Sequence, residues 1–115
     1  MILPGGIYCA DLGEAAPHPV LVVSREELNR GRTVMVVFIT SARYSLRSIL
    51  PNCVPFSPGE FGMTKSCVAQ CENTVALDVA DLDLAHGPIG VLDEARMRDV
   101  IRALGFVVDA DCEPN

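Results

Sequence analysis

The chain contains two histidines, and histidine is the side chain best placed to move a proton near neutral pH. His18 stands between Pro17 and Pro19, directly before an apolar run that begins at Val20. The two prolines limit the backbone to extended conformations, so the ring is expected at a fixed point at the mouth of a strand. His86, next to Gly87 in a polar stretch, reads as an ordinary surface histidine. A second pointer is Thr40-Ser41, two hydroxyls at the end of the most apolar run, followed by Arg43 and Arg47. Hydroxyls and backbone N–H groups at a strand end can grip a phosphate oxygen while arginines follow the neighbouring phosphates, although the same residues also serve plain turn chemistry. The sequence lacks a Gly-rich phosphate loop, an HExxH pair, a serine elbow and a dinucleotide fingerprint, so no cofactor is expected.

These residues need a scaffold, and the composition supplies one. With 115 residues, 50% of them hydrophobic and 21% charged, the chain is expected to form a single domain over 1–115, with 109–115 as a flexible acidic tail. No stretch approaches the roughly 18–20 apolar residues of a membrane span, and the N-terminus lacks the pattern of a signal peptide, so a cytoplasmic protein with no membrane partner is expected. The net charge of −6 argues against a generic polyanion binder, yet it is unevenly spread. Residues 1–65 hold six basic and five acidic side chains, whereas 66–115 hold three and ten. Any polyanion site therefore belongs to the first part, where five arginines lie between Arg25 and Arg47, either as a local patch or as a solvated face. Cys9, Cys53, Cys67, Cys71 and Cys112 show no paired CxxC spacing, so neither structural zinc nor disulfides are expected. Cys67 and Cys71, four apart in an extended segment, read as small buried hydrophobes on one face.

The apolar runs Ile7–Leu12, Val20–Val23 and Val34–Ile39 read as strands, the last two covered on both faces because they lack alternation. Periodicity alone leaves a buried helical turn open for them. Ser24–Arg32 reads as a connection, Cys53–Phe56 as a proline-tolerant edge strand, Ser66–Ala76 as one or two strands, and 78–87 as a turn-rich link anchored by Leu82 and Leu84. One helix is expected near the end, capped by Asp93, striped by Met97, Val100, Ile101 and Leu104, and stopped at Gly105. The sum is a mainly β protein, a small barrel or half-barrel with a C-terminal helix.

Taken in order, Gly6-Ile7-Tyr8-Cys9-Ala10-Asp11-Leu12, His18-Pro19-Val20-Leu21-Val22-Val23-Ser24, Val36-Val37-Phe38-Ile39-Thr40-Ser41, the stretch Met63 to Glu72, and Ile89-Gly90-Val91-Leu92 resemble the PemK/MazF family of toxin endoribonucleases from bacterial toxin–antitoxin modules. The resemblance covers about residues 5–104. It implies an SH3-like, partly open β-barrel with a C-terminal helix, assembled as a homodimer whose interface forms an RNA groove. It also implies metal-independent cleavage of single-stranded RNA to 2′,3′-cyclic phosphate and 5′-hydroxyl ends. The expected protein partner is an antitoxin whose acidic, disordered tail fills the groove.

Most family members carry Arg-Pro where this chain has His18-Pro19, so an imidazole replaces the usual phosphate-contacting arginine. Ile39-Thr40-Ser41 matches intact, whereas Gln70-Cys71-Glu72 keeps the carboxylate of an Arg-Cys-Asp element and loses its arginine, and Val75 stands in place of a second arginine. The resemblance thus implies a catalytic set of His18, Thr40, Ser41 and Glu72, with Glu72 as the second proton-transfer group or as the partner of His18. Arg25, Arg43, Arg47 and Gln70 are the expected RNA contacts. Two alternatives remain: a non-catalytic binder, since one branch of this fold poisons DNA gyrase, or a degenerate toxin-like protein that keeps the barrel for dimerisation or antitoxin binding.

Overall fold

The computed structural model describes residues 1–14 and 16–109. Runs of β-branched residues, stiff at χ1 and suited to a pleated surface, form most of the sheet. Its strands are β1 (Gly6–Ala10), β2 (His18–Val22), β3 (Thr33–Thr40), β4 (Cys53–Phe56), β5 (Cys67–Asp78) and β6 (Gly90–Val91). They lie in the order β4-β5-β3-β2-β1-β6, antiparallel throughout, and the sheet curls into a half-barrel. This is the mainly β, partly open barrel with a C-terminal helix that the sequence leads one to expect. β4, with Pro55, occupies an edge, where a missing N–H costs no ladder bond.

Both faces of the sheet are apolar, as the unalternating runs require. Ile7, Leu21, Val37, Ile39, Phe56, Cys67, Ala69 and Cys71 build one core with Val100 and Ala103 of the helix α3 (Glu94–Val107). Tyr8, Ala10, Val20, Val22, Val34, Val36 and Leu82 build the other. Asp93 caps α3 by accepting from the Arg96 N–H at 2.8 Å. Arg96 then fastens the helix to β4, donating to the Pro55 carbonyl while its guanidinium lies 5.3 Å from the centre of the Phe56 ring.

Several expectations are corrected in detail. The helix runs through Gly105 to Val107, and the left-handed residue beyond it is Asp109 (φ 56°). Its inward stripe is Val100 and Ala103, both buried, with Met97 and Leu104 partly buried beside them and Ile101 turned outward. Leu82 anchors its link, but Leu84 is exposed. The connection after β2 contains a short helix, α1 (Glu26–Asn29), and the segment after β3 another, α2 (Tyr44–Arg47). Asn29 closes the first connection: its amide donates to the carbonyls of Ile2 and Ser24, each at 2.9 Å, and its oxygen accepts from the Ser24 hydroxyl. Of the expected tail over 109–115, all but Asp109 lies outside the described residues, as does Cys112. No helix of the described residues is long and apolar enough to cross a membrane.

The 3₁₀ turn Glu60–Gly62 packs backbone to backbone on β6. Gly62 (φ 81°) faces the Ile89 carbonyl and Gly90 faces the Phe61 carbonyl so closely that a Cβ on either would overlap it. Gly90→Ala is accordingly expected to destabilise the protein by at least about 2 kcal/mol in urea unfolding. An unchanged midpoint would show that the two backbones do not meet as described.

Candidate functional site

β2 begins at His18 and β3 ends at Thr40, and these neighbouring strands are antiparallel, so both residues lie at one end of the sheet. Val20 pairs with Phe38, and continuing that register by two residues sets His18 against Thr40. On the other side of β3, Thr40 pairs with Val68 and Phe38 with Gln70. Pairing alone thus brings three segments that are distant in sequence to one rim.

Two depressions meet at this rim. The larger, about 430 Å³, is lined by His18, Thr40 and Ser41 together with Cys9, Pro19, Ile39, Met63, Thr64 and Lys65. The smaller, about 270 Å³, is lined by Leu12, Glu14, Phe38, Gln70 and Asn73, and shares His18, Ile39 and Thr40 with the first. His18 and Thr40 therefore stand on the ridge between them. The Thr40 hydroxyl oxygen accepts from the Ala42 N–H at 3.1 Å, which leaves its O–H to donate elsewhere. Arg43 follows in the left-handed conformation (φ 53°), uncommon for a long side chain, and Arg47 donates to the Ala42 carbonyl at 3.1 Å. The turn that presents Ser41 is thereby held from behind.

Of the residues singled out from sequence, His18, Thr40 and Ser41 come together on the larger depression, and Gln70 lines the smaller. Glu72 does not line either. Its carboxylate accepts from Asn52 Nδ2 at 2.8 Å and Gln70 Nε2 at 3.1 Å, so it holds Gln70 rather than His18. The carboxylate on His18 belongs to Glu14, at 2.8 Å from Nε2. Arg43 and Arg47 sit on the turn just beyond Ser41, whereas Arg25, the residue before α1, lies past the far end of β2.

Three features escaped the sequence. Lys65 is the cation that lines the larger depression, brought there by the turn after Gly62. Glu14 sits in a loop without periodicity, and only its spacing of four before His18 hinted at the pair. Between Val37 and Phe38 the β3–β5 register jumps, so that Cys71, Glu72 and Asn73 bulge out of the ladder, stapled by the Thr74 hydroxyl donating to the Cys71 carbonyl at 2.8 Å. The bulge re-aims Gln70 and Asn73 toward the rim. Carboxylates crowd one flank, where Asp11, Glu14, Asp81 and Asp83 line a further depression next to Cys9. The opposite flank carries Lys65 and the Arg43–Arg47 turn, so the rim is electrostatically two-sided.

A family model described as PemK-like, MazF-like toxin of type II toxin–antitoxin system matches residues 3–108. Among solved structures, the chain is similar to a Mycobacterium tuberculosis toxin, MazF-mt6, with a TM-score of 0.74 and 27% identity over 90% of this chain and 96% of that one. An endoribonuclease in complex with its cognate antitoxin from a mycobacterial species aligns with a TM-score of 0.80 and 24% identity over 99% of this chain and 100% of that one. A toxin in a MazE–MazF complex from Deinococcus radiodurans aligns with a TM-score of 0.73 at 17% identity, over 93% of this chain and 94% of that one. No curated protein sequence matches the chain.

The thiols offer a probe of the rim. Burial pushes the Cys53 and Cys67 thiols up and that of Cys71 to about 12; Cys9 and Cys67 both line the larger depression, but Cys9 is only half-buried whereas Cys67 is buried. Because the thiolate is the reactive form, iodoacetamide at pH 8 is expected to alkylate Cys9 in a folded Cys112→Ser variant and to spare the other three until denaturant is added. Labelling of Cys53 or Cys71 at the rate of Cys9 in native protein would contradict the burial of those two thiols.

Proposed function

We propose that this chain, which belongs to the family of PemK-like, MazF-like toxins of type II toxin–antitoxin systems, is a toxin that cleaves single-stranded RNA at the rim formed by His18, Thr40 and Ser41. The observation that carries this reading is the convergence of the imidazole and both hydroxyl residues on one solvent-open depression. The products are a 2′,3′-cyclic phosphate and a 5′-hydroxyl.

Such cleavage needs the 2′-hydroxyl deprotonated, the phosphoryl charge offset and the 5′-oxygen protonated. The imidazole of His18 takes the 2′-hydroxyl proton as the 2′-oxygen–phosphorus bond forms. The Thr40 O–H, already oriented by the Ala42 N–H, and the Ser41 hydroxyl donate to the phosphoryl oxygens. The bond from phosphorus to the 5′-oxygen breaks, and that oxygen takes a proton on the flank where Lys65 is the lining donor. Neighbouring phosphates follow the Arg43–Arg47 turn. Gln70, held by Glu72, and Asn73 face a base in the smaller depression.

A homodimer and an antitoxin partner belong to the same reading, the antitoxin supported by the complexes of the similar mycobacterial and Deinococcus structures. The apolar residues Leu46, Ile49 and Leu50, exposed beside the turn that follows Ser41, offer surface for such contacts.

Incubating the purified protein with single-stranded RNA in EDTA, followed by mapping of the cut ends, tests the chemistry. Cleavage to cyclic-phosphate ends that His18→Ala slows by about 10²- to 10⁴-fold is the expected result. No cleavage by the wild type would favour a toxin-like binder without this chemistry, and equal cleavage by His18→Ala would remove His18 from it.

A further inference from the structure

We propose that Glu14 is the positioning residue of the site, its carboxylate fixing which nitrogen of His18 meets the RNA; the proposal rests on the nuclease reading for its consequence but not for its geometry. Glu14 Oε2 lies 2.8 Å from His18 Nε2. It is part of the rim rather than of some remote surface, because Glu14 lines the smaller depression alongside His18 and Thr40. The loop is shaped to deliver it: the Asp11 carboxylate accepts from the Gly13 N–H at 3.0 Å, and Gly13 takes φ 79°, a value glycine adopts without strain. The chain thus turns back before Pro17 and Pro19 fix the start of β2. The other histidine shows what an incidental pair looks like here. His86 Nδ1 lies 2.7 Å from Asp83 Oδ2, but that ring is 84% exposed, against 41% for His18, and lines no depression at the rim, whereas His18 and Glu14, itself 64% exposed, both line one.

With Nε2–H donated to Glu14, Nδ1 has no hydrogen-bond partner among the described residues and is the nitrogen left to accept the 2′-hydroxyl proton. The carboxylate then faces the imidazolium that forms, keeping its own charge throughout. The 2′-oxygen–phosphorus bond forms as the phosphorus–5′-oxygen bond breaks, and the proton gained at Nδ1 is lost to water after turnover. An arginine in place of His18 would not need this device, since a guanidinium carries its charge and donors whatever its surroundings.

Two measurements on full-length protein decide the matter, one of them independent of activity. With only two histidines, ring ¹⁵N signals are readily assigned, and His86 serves as an internal reference. At pH 8.5 wild-type His18 is expected to show one tautomer, protonated on Nε2, and Glu14→Ala to draw its two ring-nitrogen shifts together while those of His86 stay in place. In the RNA assay Glu14→Ala is expected to lower kcat about 10- to 100-fold with KM unchanged or reduced, since losing an anion does not weaken RNA binding. Glu14→Gln, which keeps an acceptor and loses the charge, is expected to fall between. Unchanged His18 shifts in Glu14→Ala overturn the proposal whether or not the protein cleaves RNA. So does an active enzyme whose kcat is unaffected or raised by the substitution. A protein that cleaves no RNA but shows the tautomer change overturns the nuclease reading and leaves Glu14 as the residue that positions the ring.

Discussion

The pairing of β2 with β3 is the constraint on which the rest depends. Val20 opposite Phe38 and Leu21 opposite Val37 place alternate residues in the two separate cores, one on each face of the sheet. Because side chains alternate with a period of two, a slip of one residue would exchange the contents of both cores. Register is therefore held from two sides at once, and the same register sets the imidazole of His18 beside the hydroxyl of Thr40 at the strand ends. The site's geometry follows from the packing of Val20, Leu21, Val22, Val36 and Val37, all fully buried residues that never touch the rim.

Around that fixed pair, less regular pieces add chemistry. The turn after Thr40 strains Arg43 into a left-handed conformation and spends a bond of Arg47 on the Ala42 carbonyl. The bulge in β5 moves Gln70 and Asn73 to the rim, with Glu72 holding Gln70. The glycine pair Gly62 and Gly90 closes the far wall and brings Lys65 within the depression. Charge is thus divided across the rim, acidic beside the β1–β2 loop and basic beside β3 and the turn after Gly62. A polyanion crossing it has one favourable flank, which reconciles an acidic protein with an RNA substrate.

Much of this was legible in the sequence where a local rule and the tertiary structure agree. The unalternating runs at Val20–Val23 and Val34–Ile39 announced strands buried on both faces, which holds except at Met35, 47% exposed, and the spacing of Cys67 and Cys71 announced their shared core. Asp93 announced the start of the helix. The helix end was misplaced because α3 continues through Gly105 to Val107, although Phe106 and Val107 are exposed; one glycine costs a helix only about 1 kcal/mol and does not by itself stop it. The four-residue helices α1 and α2 are too short to leave a periodic trace. The bulge over Cys71, Glu72 and Asn73 carries no Gly or Pro to mark it, so Glu72 was expected in the catalytic set, as a proton-transfer group or as the partner of His18, when the fold turns it to Gln70. Glu14 was missed for a different reason: apart from its spacing from His18, a loop carboxylate acquires meaning only once the backbone has folded it back on the ring.

The central claim is that a scissile phosphodiester sits where β2 and β3 end. A crystal structure of the protein with an RNA strand carrying 2′-deoxyribose at the cleavage position tests it most directly. The account requires a phosphate within hydrogen-bond distance of the Thr40 and Ser41 hydroxyls, with the 2′-carbon at that position turned toward the ring of His18. RNA bound on another face, with this rim left empty, would contradict it.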